Sequence, residues 1–138
     1  MTIRIGIAGI AGRMGRLLAE ETGRKVLCVG YRLAPEFPYP TALLDALEAY
    51  RRMLEIYSPG DILLAGESAG GGLCYCLCLK LKELGLPQPS GIIALSPWTD
   101  LVMGEERYPA EANSADPMLS VEGLKYSARM YAGERAGE

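Results

Sequence analysis

The sequence predicts an α/β domain built on a mostly parallel sheet. Short apolar runs bounded by glycine or proline alternate with longer segments whose apolar residues recur at helical spacing. Short apolar runs of this kind, ending at glycine, are the pattern of buried parallel strands. A length of 138 residues fits a single domain, residues 1–138, with one modest core.

The elements follow in order. Residues 2–8 (TIRIGIA) read as a first strand ending at Gly9. After Gly12, Met14, Leu17 and Leu18 fall at helical spacing, with Gly23 as the stop. Residues 25–31 (KVLCVGY) form a second strand by their Val and Leu content. Pro35, Pro38 and Pro40 then forbid both helix and ladder, which makes a stiff loop. From Thr41, placed as N-cap, to about Tyr57, the residues Leu43, Leu44, Leu47, Tyr50, Leu54 and Tyr57 fall on one face; Ser58-Pro59-Gly60 ends that helix. Residues 61–66 (DILLAG) are a third strand and Ala69 to Leu84 a long helix stopped by Gly85 and Pro87. Residues 91–95 (GIIAL) are a fourth strand, and Ser120 caps a last helix to about Ala132 with Leu124, Ala128 and Tyr131 on one side. Strands and helices thus alternate, giving a three-layer arrangement: a four-stranded sheet, right-handed crossovers and helices on both faces. Residues 134–138 read as a frayed tail.

Composition excludes several classes. Lys and Arg number 14 and Asp and Glu 17, a net charge of −3 with no basic surface for nucleic acid. No apolar run reaches the roughly 18 residues that span a bilayer, and the opening residues make a poor signal peptide. Cys28, Cys74, Cys76 and Cys78 read as reduced thiols of a cytoplasmic protein. Cys74, Cys76 and Cys78 are expected to be small buried hydrophobes, and no metal site is expected. The sequence contains no histidine, so it holds no self-contained Ser-His-Asp or Cys-His site.

The sharpest feature is Gly66-Glu67-Ser68-Ala69-Gly70, which follows a buried strand and opens a helix, the context of a G-x-S-x-G nucleophile elbow. A serine on so tight a turn lifts its hydroxyl clear of the sheet, and side chains two positions either side would clash; Gly66 and Gly70 remove them. The Ala69 amide, at the helix start, would face the oxyanion formed when a carbonyl is attacked. A glycine- and serine-rich turn of this kind also occurs with no catalytic duty, and these five residues alone leave both readings open.

Four ordered motifs extend the pattern: Tyr31-Arg32-Leu33-Ala34-Pro35-Glu36, then Gly66 to Gly72, then Leu95-Ser96-Pro97-Trp98-Thr99-Asp100-Leu101, then Ala115-Asp116-Pro117-Met118-Leu119-Ser120. In order and spacing they resemble the hormone-sensitive-lipase-like branch of the α/β-hydrolases, esterases and lipases acting on carboxylic esters, over residues 16–133. The resemblance implies a partial α/β-hydrolase fold, Ser68 as acyl-accepting nucleophile, Ala69 as one oxyanion amide, a small ester as substrate and no cofactor. It also marks departures. The family's His-Gly-Gly-Gly oxyanion loop is missing, and its acid and histidine lie downstream of the residues present here. Glu36, Glu67 and Asp100 are the carboxylates weighed as substitute bases; Asp100 is expected instead to brace the loop after the fourth strand. A chain with these gaps is expected to be weakly active or inactive alone. Its open sheet edge points to a homo-oligomer or a complementary partner chain.

The first fifteen residues resemble a different family. IRIGIAGIAGRMG, residues 3–15, is similar to the N-terminal strand and glycine turn of dihydrodipicolinate reductase. Gly9, Gly12 and Gly15 would cradle a pyrophosphate at a helix start, and Arg32 would suit the 2′-phosphate of NADP. The alternative reading is therefore an NAD(P)-binding module, and the chain reads as a composite of the two. The readings differ in strand order: a hydrolase sets the third strand beside the first, a dinucleotide fold sets it outside the second.

Overall fold

The computed structural model describes residues 4–8, 13–104 and 116–133. They belong to two compact units, Met1–Arg32 with Thr41–Thr99, and Leu33–Pro40 with Asp100–Glu138. The first unit runs β1 (Arg4–Ala8), α1 (Arg13–Thr22), β2 (Val26–Val29), α2 (Thr41–Ile56), a 3-10 turn (Pro59–Asp61), β3 (Ile62–Glu67), α3 (Ala69–Glu83) and β4 (Gly91–Leu95). The second carries the proline-rich segment and α4 (Val121–Ala132).

The sheet has the order β2-β1-β3-β4, and every neighbouring pair is parallel, with Ala8 opposite Val29, Ile7 opposite Ala65 and Glu67 opposite Leu95. This is the order of the hydrolase arrangement; in the dinucleotide arrangement β3 lies outside β2. The step from β1 to β2 runs opposite to those from β2 to β3 and from β3 to β4. Right-handed crossovers therefore place α1 on one face and α2 with α3 on the other. Packing agrees with this: Leu18 of α1 meets Ala65 of β3, while α2 lies against α3.

The core sits where β3 meets α2 and α3. Ile62, Leu64, Leu73, Cys74, Leu77 and Leu81 are buried there with Leu43, Leu47, Tyr50 and Met53. The Tyr50 hydroxyl donates to the Pro87 carbonyl at 3.0 Å, satisfying the one polar atom this aromatic carries into the interior. After α3, Gly85 takes φ +64° so that its amide and that of Leu86 turn back onto the Lys82 and Leu81 carbonyls at 3.2 and 2.9 Å, closing the helix end as glycine permits.

Four expectations need correction. The buried face of α2 is Ala42, Leu43, Ala46, Leu47, Tyr50 and Met53, and Leu44 is exposed; two alanines let the helix approach closely and rotate Leu44 outward. Thr41 lies inside the helix rather than preceding it as cap. Cys76 is exposed, because the α3 stripe of Leu73, Cys74, Leu77 and Leu81 leaves it on the opposite side. β2 is also shorter than residues 25–31, since its pairing ends at Val29 opposite the last residue of β1.

Within the second unit, the proline-rich segment docks on α4. The Tyr39 amide donates to the Tyr131 carbonyl at 2.7 Å, and the two rings meet edge to face at 5.9 Å. The Ser120 hydroxyl accepts from the Gly123 amide at 3.0 Å, capping α4 as expected. No helix among the described residues is long and apolar enough to cross a membrane.

Candidate active site

Residues 66–70 form a sharp strand-to-helix turn. β3 ends at Glu67, α3 begins at Ala69, and Ser68 between them has φ 51° and ψ −120°, a conformation that side-chain-bearing residues rarely adopt. Ser68 is exposed, and so are Glu67 and Ala69. The turn demands a bare Gly66: a Cβ there would lie 2.3 Å from the Gly70 oxygen, 2.5 Å from the Gly70 carbonyl carbon and 2.7 Å from the Gly71 nitrogen.

Among the described residues, Ser68 and Ser120 each stand immediately before an α-helix, and they behave differently. Ser120, at φ −90° and ψ 144°, spends its hydroxyl on a cap hydrogen bond. Ser68 makes no side-chain cap bond to α3, so its hydroxyl satisfies none of the helix's own orphan amides. Those amides, Ala69 first among them, remain where an anion at the helix start is stabilised.

The backbone of Ser68 is held from both sides. Its amide donates to the Leu95 carbonyl at 3.0 Å, and its carbonyl accepts from the Gly72 amide at 3.1 Å and the Trp98 amide at 2.9 Å. Beyond β4 the chain turns at Ser96, whose φ is 42°, and crosses the first turn of α3. There a Cβ on Gly71 would lie 2.9 Å from the Pro97 Cβ, and one on Gly72 would lie 2.2 Å from the Trp98 oxygen. The sequence motifs contain Gly71, Gly72, Ser96, Pro97 and Trp98 but do not predict this approach. The signal was present: three successive glycines opening a helix are costly to helix stability unless a neighbour needs the space.

The remaining candidates fall as follows. Gly9 and Gly12 lie outside the described residues; Gly15 is buried in the first turns of α1. Arg32 is engaged by Asp45. Its Nη2 reaches Oδ1 at 2.7 Å, its Nε reaches Oδ2 at 3.0 Å, and its own amide donates to Oδ2 at 2.9 Å. These bonds raise the Arg32 pKa and lower that of Asp45, and they give the guanidinium a carboxylate partner where the alternative reading wanted a phosphate. The Asp100 carboxylate accepts from the Val102 and Met103 amides at 3.1 and 3.4 Å, the bracing role expected of it. Among the described residues, no three or more Cys, Asp or Glu gather as a metal site.

Comparison with known proteins accords with this geometry. A family model described as alpha/beta hydrolase fold matches residues 5–138, starting inside β1. The esterase of Acinetobacter venetianus is 36% identical over 115 residues, covering 83% of this chain and 38% of that protein. Human hormone-sensitive lipase is 35% identical over 127 residues, covering 85% of this chain and 11% of the lipase. A crystal structure of a hormone-sensitive lipase from a metagenome library superposes with TM-score 0.86 at 34% identity, over 96% of this chain and 48% of that one. The chain belongs to the α/β-hydrolase family, in its hormone-sensitive-lipase-like branch. It spans about half the length of the solved relatives and less than that of the curated ones.

Proposed function

We propose that this chain carries the acyl-accepting portion of a carboxylic ester hydrolase, with Ser68 as nucleophile. The observation that carries the reading is an exposed Ser68 held on a strained turn, its hydroxyl not used as a helix cap. Ser68 Oγ attacks the ester carbonyl carbon, the carbonyl electron pair moves onto oxygen, and the Ala69 amide donates to that oxyanion. The tetrahedral species collapses with loss of the alcohol, leaving an acyl group on Ser68 for water to remove. The names of the relatives support an ester substrate: the Acinetobacter protein is an esterase, and one from Streptomyces hygroscopicus, 44% identical over 85 residues, is an acetyl-hydrolase.

Proton transfer is the weak step. The chain has no histidine, and a serine hydroxyl without an adjacent base is a poor nucleophile. The expected result with p-nitrophenyl acetate is very slow hydrolysis, lowered further by Ser68→Ala. Efficient turnover lost in Ser68→Ala would overturn the low rate and point to a carboxylate or water as base. A slow rate unaffected by Ser68→Ala would overturn the nucleophile.

A second reading, compatible with the first, is that a complementary chain completes the site. β4 is an edge strand in which Ile93 and Leu95 are 46% and 50% exposed, and the solved relatives are about twice as long. A dinucleotide-binding role gains no support from a sheet in which β3 lies beside β1, and NADPH titration is expected to show no micromolar binding.

A further inference from the structure

Ser68 and Ser96 occupy adjacent places at one end of the sheet. The register of β3 and β4 runs to Glu67 opposite Leu95, so these serines are the next residue on each strand, and both have positive φ, 51° and 42°. Backbone of this kind persists only where its surroundings over-determine it. Around Ser68 they do so through main-chain atoms. The Leu95 carbonyl accepts from its amide and the Trp98 amide donates to its carbonyl, so the segment leaving β4 grips the two peptide units that flank the strained torsions. The grip closes only because Gly71 and Gly72 offer no Cβ to Pro97 and the Trp98 carbonyl.

We propose that residues 95–98 form a backbone clamp that sets the direction of the Ser68 hydroxyl, and that Gly72 is its positioning residue. The proposal rests on Ser68 being the nucleophile and adds what aims it. Gly72 touches no substrate. A methyl at position 72 meets the Trp98 oxygen at 2.2 Å, a main-chain atom that cannot rotate aside, so the clamp must lift and the Trp98–Ser68 bond must open. The torsions of Ser68 then relax toward common values and the hydroxyl swings off its line of attack.

The test uses an alkyl fluorophosphonate on the whole chain. Ser68 Oγ forms the bond to phosphorus, the phosphorus–fluorine bond breaks, fluoride departs and the hydroxyl proton goes to water. Gly72→Ala is expected to lower the maximal labelling rate at Ser68 by about 10²-fold, the scale of a displacement near 1 Å, with the half-saturating concentration unchanged. Gly60→Ala, where a Cβ meets nothing within 4 Å, is expected to label at the original rate. A Gly72→Ala chain with native circular dichroism and an unchanged labelling rate overturns the clamp. If Gly72→Ala does not fold, amide hydrogen exchange on the unsubstituted chain decides. The clamp requires slow, matched exchange at Ser68 and Trp98, and is overturned by open-chain exchange at Trp98 while α3 stays protected. Absence of any label on the unsubstituted chain counts against the nucleophile, and the exchange measurement then judges the clamp by itself.

Discussion

Gly66→Ala tests the turn on which the whole site stands. The added methyl would lie 2.3, 2.5 and 2.7 Å from three main-chain atoms of Gly70 and Gly71, where carbon contacts are comfortable at about 3.5–4.0 Å. The first turn of α3 or the end of β3 must therefore move by roughly 1 Å. Overpacking a filled site costs about 1–3 kcal/mol, and main-chain obstruction puts this case at the upper end. Replacing glycine stiffens the unfolded chain and returns about 0.4–1 kcal/mol, so the net loss is about 2–3 kcal/mol. Gly60→Ala is the matched control, with open space around its Cβ; it is expected to be neutral or to stabilise by about 0.4–1 kcal/mol. Urea unfolding followed by circular dichroism reads both. With a slope of about 1–3 kcal/mol/M, Gly66→Ala lowers the midpoint by about 0.7–3 M without changing the slope. A Gly66→Ala midpoint equal to that of the unsubstituted chain or of Gly60→Ala would refute the steric reasoning.

Two further predictions concern groups that hold the first unit together. Tyr50 is 1% exposed and donates to the Pro87 carbonyl, so Tyr50→Phe, which strands that carbonyl, is expected to cost about 1 kcal/mol in the same unfolding assay. Burial pushes its phenol up to about 12 from 10.0. The unfolded phenol ionises first, so this contribution to stability falls as pH rises between those values; the latest-titrating phenolate absorbance should vanish in Tyr50→Phe. Asp45 is held below the ordinary carboxylate range by the side-chain and amide donors of Arg32. Its stabilisation is present above the unfolded carboxylate value and is lost as pH falls through the folded one. Asp45→Asn is therefore expected to lower the melting temperature at pH 7 and to converge with the unsubstituted chain in acid; a gap that widens in acid would contradict the pairing.

Much of this was legible in the residues because local rules agreed with one another. Strand runs ending at glycine, helices stopped by Gly23 and Gly85, and Ser120 ahead of α4 each state their own boundary. The elbow was legible for the same reason, since strand, glycine, serine and helix start lie within a few consecutive residues. The rotation of α2 was not. Periodicity marks a stripe, but close approach through Ala42 and Ala46 decided which edge of it went inward, leaving Leu44 exposed. The Leu95–Trp98 approach and the Arg32–Asp45 pair were also hidden, because each joins residues distant in sequence whose partners no local pattern names.

The claim that Ser68 accepts an acyl group is tested most directly by peptide mapping after brief exposure to p-nitrophenyl acetate. With no histidine to activate water, deacylation should be slow as well, and a single acetyl group should accumulate on Ser68 and be absent from Ser68→Ala. Acetyl groups spread over lysines, with residue 68 unmodified, would contradict the account.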